Sequence, residues 1–240
     1  MDDVYDNDAT LDEVSVEPLL VAIGELARRL AETHGVDDLL QCAVELATVH
    51  VDGCDGGSVM LVRKGGRISM PASTSPTATA IDRAQFEADE GPCLESLREH
   101  HTVVIDDLRT EQRWPRYRAA ALEAGALSTL SVRLFLREDT MGALNLYSTS
   151  PAAFGPVAIV VSQVLASHAA VALKAAITEA GLTAALETRD VIGQAKGVLM
   201  GARGITAEAA FEQLREVSQR QNRPLRELAG EVSLTGELLE

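Results

Sequence analysis

The sequence predicts an α+β domain with an antiparallel sheet flanked by helices, then a long helical connector and an all-α tail of three helices. Three observations carry this. Up to residue 148, β-branched and apolar runs occur in pairs around turn signals, with helical stretches between them. Beyond "TSPAAFGP" no strand-like alternation appears. The last third instead holds helical periodicity, with glycines at 193, 197 and 201 spaced four residues apart.

Taken in order, the opening "MDDVYDNDATLDEVSVE" is purely acidic, without a basic or apolar segment, and reads as a disordered tail over 1–17 and not a signal peptide. Residues 18–52 form two helices split at "THGVDD", where Gly35 suits the end of the first and Asp37 the cap of the second. "GGSVMLVRKGGRISMPAST" is a hairpin. Helices follow at "TATAIDRAQF" and from Pro92 in "EGPCLESLREH", with the strand "TVVIDDL" after them. "RYRAAALEAG" is a helix stopped by Gly125, and "LSTLSVRLFL" pairs with "MGALNLYS" as a second hairpin. Residues 157–200 read as one long helix, with Gly181 its weakest point and the place for any break. Two shorter helices end the chain, one capped by Thr206 and one starting at Pro224.

The chain has 240 residues, 46% apolar but only 3% aromatic, so Ala, Val, Leu and Ile must build its cores. Against 36 acidic residues stand 21 basic ones, a net charge of -15. Such a chain repels nucleic acid and anionic membranes in general, so any nucleic-acid contact has to be local and shape-specific. Cys42, Cys54 and Cys93 are odd in number and lack metal-ligand or disulfide spacing, which points to a reducing, cytoplasmic setting. "AIVVSQVLASHAAVALKAAI" reaches transmembrane length, but Ser162, Gln163, Ser167, His168 and Lys174 interrupt it. A buried or dimer-forming helix is the better reading.

On a helical wheel, Val191, Ile192, Ala195, Val198 and Leu199 gather on one side. Gly193 and Gly197 fall on the other, beside Arg189, Lys196 and Met200. Interior glycines cost about 1 kcal/mol each against alanine, so a bare face calls for a use. It admits a polar backbone unusually closely, either phosphate and sugar or a second protein helix. A P-loop is excluded, because Lys196 precedes Gly197 with no Ser or Thr after it and no strand before. In the next helix Arg215, Ser218, Gln219 and Asn222 share a face suited to phosphates and base edges, while Phe211, Leu214 and Val217 supply the buried side.

"RDVIGQAKGVLMGARGITAEAAFEQLREVSQRQNRPLRELA" closely resembles the ANTAR domain, the RNA-binding tail of bacterial transcription antiterminators, over about 182–238. The first part resembles a GAF sensor domain through "EGPCLESL", "IDDL", "RWPRY", "GALNLYS" and Ala153-Phe154. The organisation expected is then a tail at 1–17, a GAF domain at 18–176 and an ANTAR domain at 177–240. The resemblance implies binding of paired RNA hairpins with small loops, which prevents a nearby terminator from forming. Carried over by position, the RNA contacts are Gln194, Lys196, Gly197, Met200, Arg203, Arg215 and Ser218. Gly193 stands where many members have an acid, which enlarges the glycine face, and Pro224 stands where a basic residue is common, which removes one phosphate contact.

The resemblance also places a sensor pocket between the sheet and the cover formed by 73–108. There Asp82, Glu90, Cys93, His100 and His101 are the candidates to point inward, and Cys93, at a helix start, is a candidate redox thiol. Neither signal nor cofactor is legible, and no residue is assigned to catalysis or metal binding. Apolar positions Val161, Val164, Val171, Leu182, Ile192 and Leu199 approximate a heptad seam for a parallel homodimer. Two other readings remain: a protein-interaction module without RNA binding, and a cysteine-dependent methionine sulfoxide reductase of the GAF type.

Overall fold

The computed structural model describes residues 17–33, 35–62, 67–99, 102–136 and 139–238. The expected tail therefore lies outside the described residues except for Glu17, which opens α1 (Glu17–Glu32). The chain divides into two compact units, Met1–Ala176 and Ile177–Glu240.

In the first unit, α2 (Val36–His50) follows α1 after Gly35, whose φ of 97° suits a residue without Cβ. Gly35 itself precedes the first turn of α2, so Asp37 is not its cap as expected. Asp37 and Asp38 lie within that turn, where their charge complements the helix dipole. Strands β1 (Gly56–Val62) and β2 (Ile68–Ser73) pair antiparallel. Helix α3 (Pro76–Ala88) starts where Ser75 accepts a hydrogen bond from the Ala78 N–H at 3.1 Å, and α4 (Pro92–Glu99) follows. Then come β3 (Val103–Ile105), α5 (Pro115–Glu123), β4 (Ser128–Leu136) and β5 (Asp139–Ser148).

The five strands form one antiparallel sheet in the order β2-β1-β5-β4-β3. Gly142 on β5 is required by the closeness of β1, since a Cβ there would lie 1.9 Å from the Met60 carbonyl oxygen. Alternation along the strands gives the sheet two unlike faces. Val59, Leu61, Leu130, Val132, Leu134, Leu144 and Leu146 face the main core, where α2 and the start of the long helix α6 (Pro156–Arg203) cover them. Ser58, Met60, Thr129, Ser131, Asn145 and Tyr147 alternate with these and turn toward α3, α4 and α5.

Among the described residues α6 is the one helix long and apolar enough to cross a membrane by length and composition. Packing accounts for that character in its first part: Ala158, Val161, Leu165, Ala166, Ala169, Ala170 and Leu173 are buried in the sheet's main core. The helix runs unbroken through Gly181, the weak point read from the sequence, and a Cβ added there would meet nothing within 4 Å. Every residue from 177 to 187 is exposed.

In the second unit, the end of α6 packs with α7 (Ala207–Gln221) and α8 (Leu225–Thr235). Ala195, Leu199, Ala210, Leu214, Val217, Leu228, Ala229 and Val232 form the aliphatic centre. Gly204, with φ of 65°, ends α6, its N–H donating to the Met200 carbonyl at 2.9 Å. Thr206 caps α7 through the Ala209 N–H at 3.2 Å, as its position predicts.

Candidate nucleic-acid interface and sensor interior

The core of the second unit takes one face of α6 and leaves the opposite face bare. Ala195 and Leu199 are buried, whereas Gly193 and Gly197 are exposed, and a Cβ at either would meet nothing within 4 Å. These glycines therefore do not serve a tight contact inside the unit. Beside them opens a groove of about 420 Å³, walled by Thr188, Arg189, Ile192, Gly193 and Lys196 of α6 and by Phe211 of α7. Among the described residues neither Arg189 nor Lys196 forms an ion pair. The Glu208 carboxyl is held below its usual range chiefly by its own backbone N–H and the Thr206 hydroxyl, with Lys196 a smaller electrostatic contributor.

The seven sequence-derived contact residues fall into two groups. Gln194, Gly197 and Met200 are exposed on α6, with Lys196 partly buried at the groove. The other three are engaged within the unit. Arg203 donates to Gln213 Oε1 at 2.9 Å and to the Leu238 carbonyl at 3.5 Å. Arg215 pairs with Glu212 at 2.5 Å on the exposed side of α7. The Ser218 hydroxyl donates to the Arg223 carbonyl at 2.6 Å, closing the turn after α7. Phe211, expected on the buried side, is only partly buried and lines the groove. Ala210, Leu214 and Val217 of α7 pack inward, and Phe211 lies one step, about 100°, round from Ala210.

In the first unit the second face of the sheet is buried yet polar. Asp82 of α3 is 0% exposed and accepts from Ser58, Tyr147, Asn145 at 3.2 Å and Gln85 at 3.1 Å. The hydroxyls and amides come from β1, β5 and α3 itself. Around them Cys93 of α4 and Tyr117 of α5 complete a neutral shell. Burial raises the Asp82 pKa to about 6, against the opposing pull of the four donors. The Tyr117 and Thr129 hydroxyls and Asn145 Oδ1 are buried without a partner in hydrogen-bond geometry among the described residues. A cavity of about 200 Å³ adjoins this interior, lined by Asp55, Ser75, Ile81, Gly125, Tyr147 and Thr149, so Tyr147 stands between cavity and carboxylate.

The strand order, the covering helices and this inward polar face can be set beside known proteins. Residues 33–174 match the GAF domain. The chain belongs to the GAF family. Residues 180–232 match the ANTAR domain, in the order expected from the sequence. No curated protein matches the chain. Among solved structures, the GAF domain of a phosphoenolpyruvate-protein phosphotransferase from Coxiella burnetii is 13% identical with a TM-score of 0.56, covering 70% of this chain and 99% of that one. The free methionine-R-sulfoxide reductase from Neisseria meningitidis, solved with its substrate, is 15% identical with a TM-score of 0.55, covering 69% and 95%. The GAF domain of the corresponding phosphotransferase from Acinetobacter is 15% identical with a TM-score of 0.54, covering 68% and 97%. At these identities the likeness shows the fold alone.

Within the GAF domain Cys42 and Cys93 are buried and Cys54 is partly buried. Cys42 lies in the core on one face of the sheet and Cys93 beneath the other, 3.0 Å from the Met60 sulfur. Burial pushes the Cys93 thiol far up, the opposite of the activation its helix-start position suggested, and lifts Cys54 to about 11. Glu90 serves the fold. Trp114 and Pro115 open α5, but Trp114 offers no side-chain cap, and Glu90 Oε1 accepts from the backbone N–H groups of Arg116 and Tyr117 at 2.6 and 3.0 Å. His100 and His101 lie outside the described residues.

Proposed function

We propose that this chain is an RNA-binding transcription antitermination regulator. Its ANTAR domain engages paired hairpins in nascent transcripts and prevents terminator formation, under control of a signal received by the GAF domain. The GAF and ANTAR architecture supports a regulator and not an enzyme. The observation that carries the RNA reading is the bare glycine face of α6 flanked by Lys196 and Arg189. In a chain of net charge -15, two cations without ion pairs beside an open backbone make a local site for phosphate. We place the protein in the cytoplasm, where nascent RNA and reduced thiols are found.

The working form in this reading is a homodimer, and burial revises the seam expected from the sequence. Val161 and Leu199 belong to the separate cores of the two units, so neither is free for a partner. Val157, Val160 and Val171 in the first unit, and Ile177, Leu182, Leu186 and Met200 in the second, are the exposed large apolar positions of α6. They supply the surface for a second copy.

The test is direct. Full-length protein is titrated against an RNA carrying two small-loop hairpins and against a hairpin-free control. Tight, hairpin-dependent binding is expected, and Lys196→Ala should weaken it about tenfold to a hundredfold, the usual loss for a contact to a charged group. Indifference to the hairpins, or equal binding by the variant, overturns the reading.

A further inference from the structure

We infer that the groove beside the glycine face is a nucleobase subsite, in which one unpaired base of the RNA loop stacks on Phe211 while Arg189 and Lys196 hold the phosphates flanking it. This rests on the RNA-binding reading above and adds where, and by what contact, the loop is read.

Phe211 is the only aromatic residue between 177 and 240. A unit this small, with an entirely aliphatic buried centre, gains most by burying its largest apolar side chain. It buries Ala210 fully and Phe211 only in part, so that the phenyl ring helps to wall an open groove. The opposite wall is Gly193, where a side chain would have closed the approach and where nothing lies within 4 Å of a built Cβ. Ile192 adds an aliphatic surface. The volume of about 420 Å³ falls within the roughly 300–1,000 Å³ of clefts that hold small planar ligands.

The charges select the kind of guest. Arg203, Arg215, Arg223 and Arg226 are each engaged by a carboxylate, an amide oxygen or a carbonyl of the unit. Arg189 and Lys196, both at the groove, form no ion pair among the described residues. An apolar face with two cations at its edge, neither in an ion pair among the described residues, fits a nucleobase carrying its phosphates, since every base offers a π-face to an aromatic ring. A second protein helix docking on the glycines would prefer an apolar rim. Here two cations, Arg189 and Lys196, line the groove beside the glycines, with Met200 as an exposed apolar neighbour.

The experiment pairs loop changes with ring changes. Binding of the full-length protein is measured on the two-hairpin RNA and on a series in which each loop nucleotide in turn is made abasic. For the parent protein, one abasic position should weaken binding roughly tenfold or more, the others less. Phe211→Leu should lose a similar factor on the intact loop and become insensitive to that position, whereas Phe211→Trp should keep the parent pattern. A parent protein that binds the hairpins tightly yet tolerates every abasic position overturns the inference whether or not any variant folds. So does a Phe211→Leu protein that binds like the parent, or one that loses self-association and not RNA, which would assign the groove to a second copy. If the parent binds no hairpin at all, the RNA-binding reading itself has failed.

Discussion

Asp82 keeps its carboxyl among hydroxyls and amides, and no cation is among the groups that act on it. The groups that face it are Ser58 and Asn145 from the sheet, Tyr147 beside them, Gln85 on its own helix, Tyr117 from α5 and Cys93 from α4. Its pKa in the fold, about 6, exceeds the roughly 3.9 of an unfolded aspartate. The folded state therefore binds this proton more tightly, so the stabilisation from it is complete below about pH 4 and is lost as pH rises through 6. Ionisation at neutral pH costs up to about 3 kcal/mol by the size of the shift. Asp82→Asn should flatten the dependence of the urea midpoint on pH between 4 and 6.5, and should be at least as stable as the parent at pH 7. A parent midpoint that rises with pH across this window would refute the assignment. Asp82 was one of five residues that the sequence offered as candidates to point inward, and the structure buries it, but the sequence alone did not decide which of the five do so. Phe211 was misplaced for a related reason: as an aromatic flanked by Ala210 and Leu214 it fits an apolar stripe, and only the packing of Ala210, Leu214 and Val217 against the neighbouring helices shows that it lies at the edge of the buried face.

Among the elements, the end of α6 tests function against helix stability. Gly193 and Gly197 have open space where a methyl group would go, so alanine at either should stabilise the second unit by about 1 kcal/mol. Leucine at 197 should also raise the thermal midpoint, yet impair hairpin binding through bulk on the approach face. A lower midpoint for the alanine variants, read by circular dichroism, would mean that the glycines serve packing after all. The wheel position of these glycines was legible because 3.6-residue periodicity is insensitive to tertiary context. The strands were legible for a similar reason, as two hairpins of β-branched residues between clear turn signals. What pattern could not supply was the chemistry of the sheet's second face. Alternation alone does not tell a covered polar face from a solvated one, and here α3, α4 and α5 cover Ser58, Thr129, Ser131 and Asn145.

For the whole molecule, the question is whether α6 transmits the GAF signal or merely joins two units. Four residues inserted after Ala180 change helical phase by about 40° and add about 6 Å, while seven change phase by only about 20° the other way. If the signal travels as a change of helix pairing, the four-residue insert should disrupt signal-dependent antitermination in a terminator-reporter assay more than the seven-residue one, with both units still folded. Equal activity of both inserts and the parent would make the helix a tether. Assembly is tested alongside: Leu182→Glu and Leu186→Glu should convert a sedimenting dimer to monomer, since each puts a charge on an exposed apolar position. A parent protein that is monomeric at micromolar concentration, with RNA binding intact, removes the dimer from the proposal.

The run of exposed residues from 177 to 187 has a kinetic consequence. Neither core reaches this stretch of α6, so its amides are protected by helical hydrogen bonds alone, around a glycine that favours the coil. It should open locally without unfolding either unit, exchange its amide hydrogens fastest within α6, and be the first place a protease cuts. A partner helix laid along Ile177, Leu182 and Leu186 would slow all three. Exchange rates at these eleven positions, followed as the protein is diluted, would then measure the lifetime of the assembly itself.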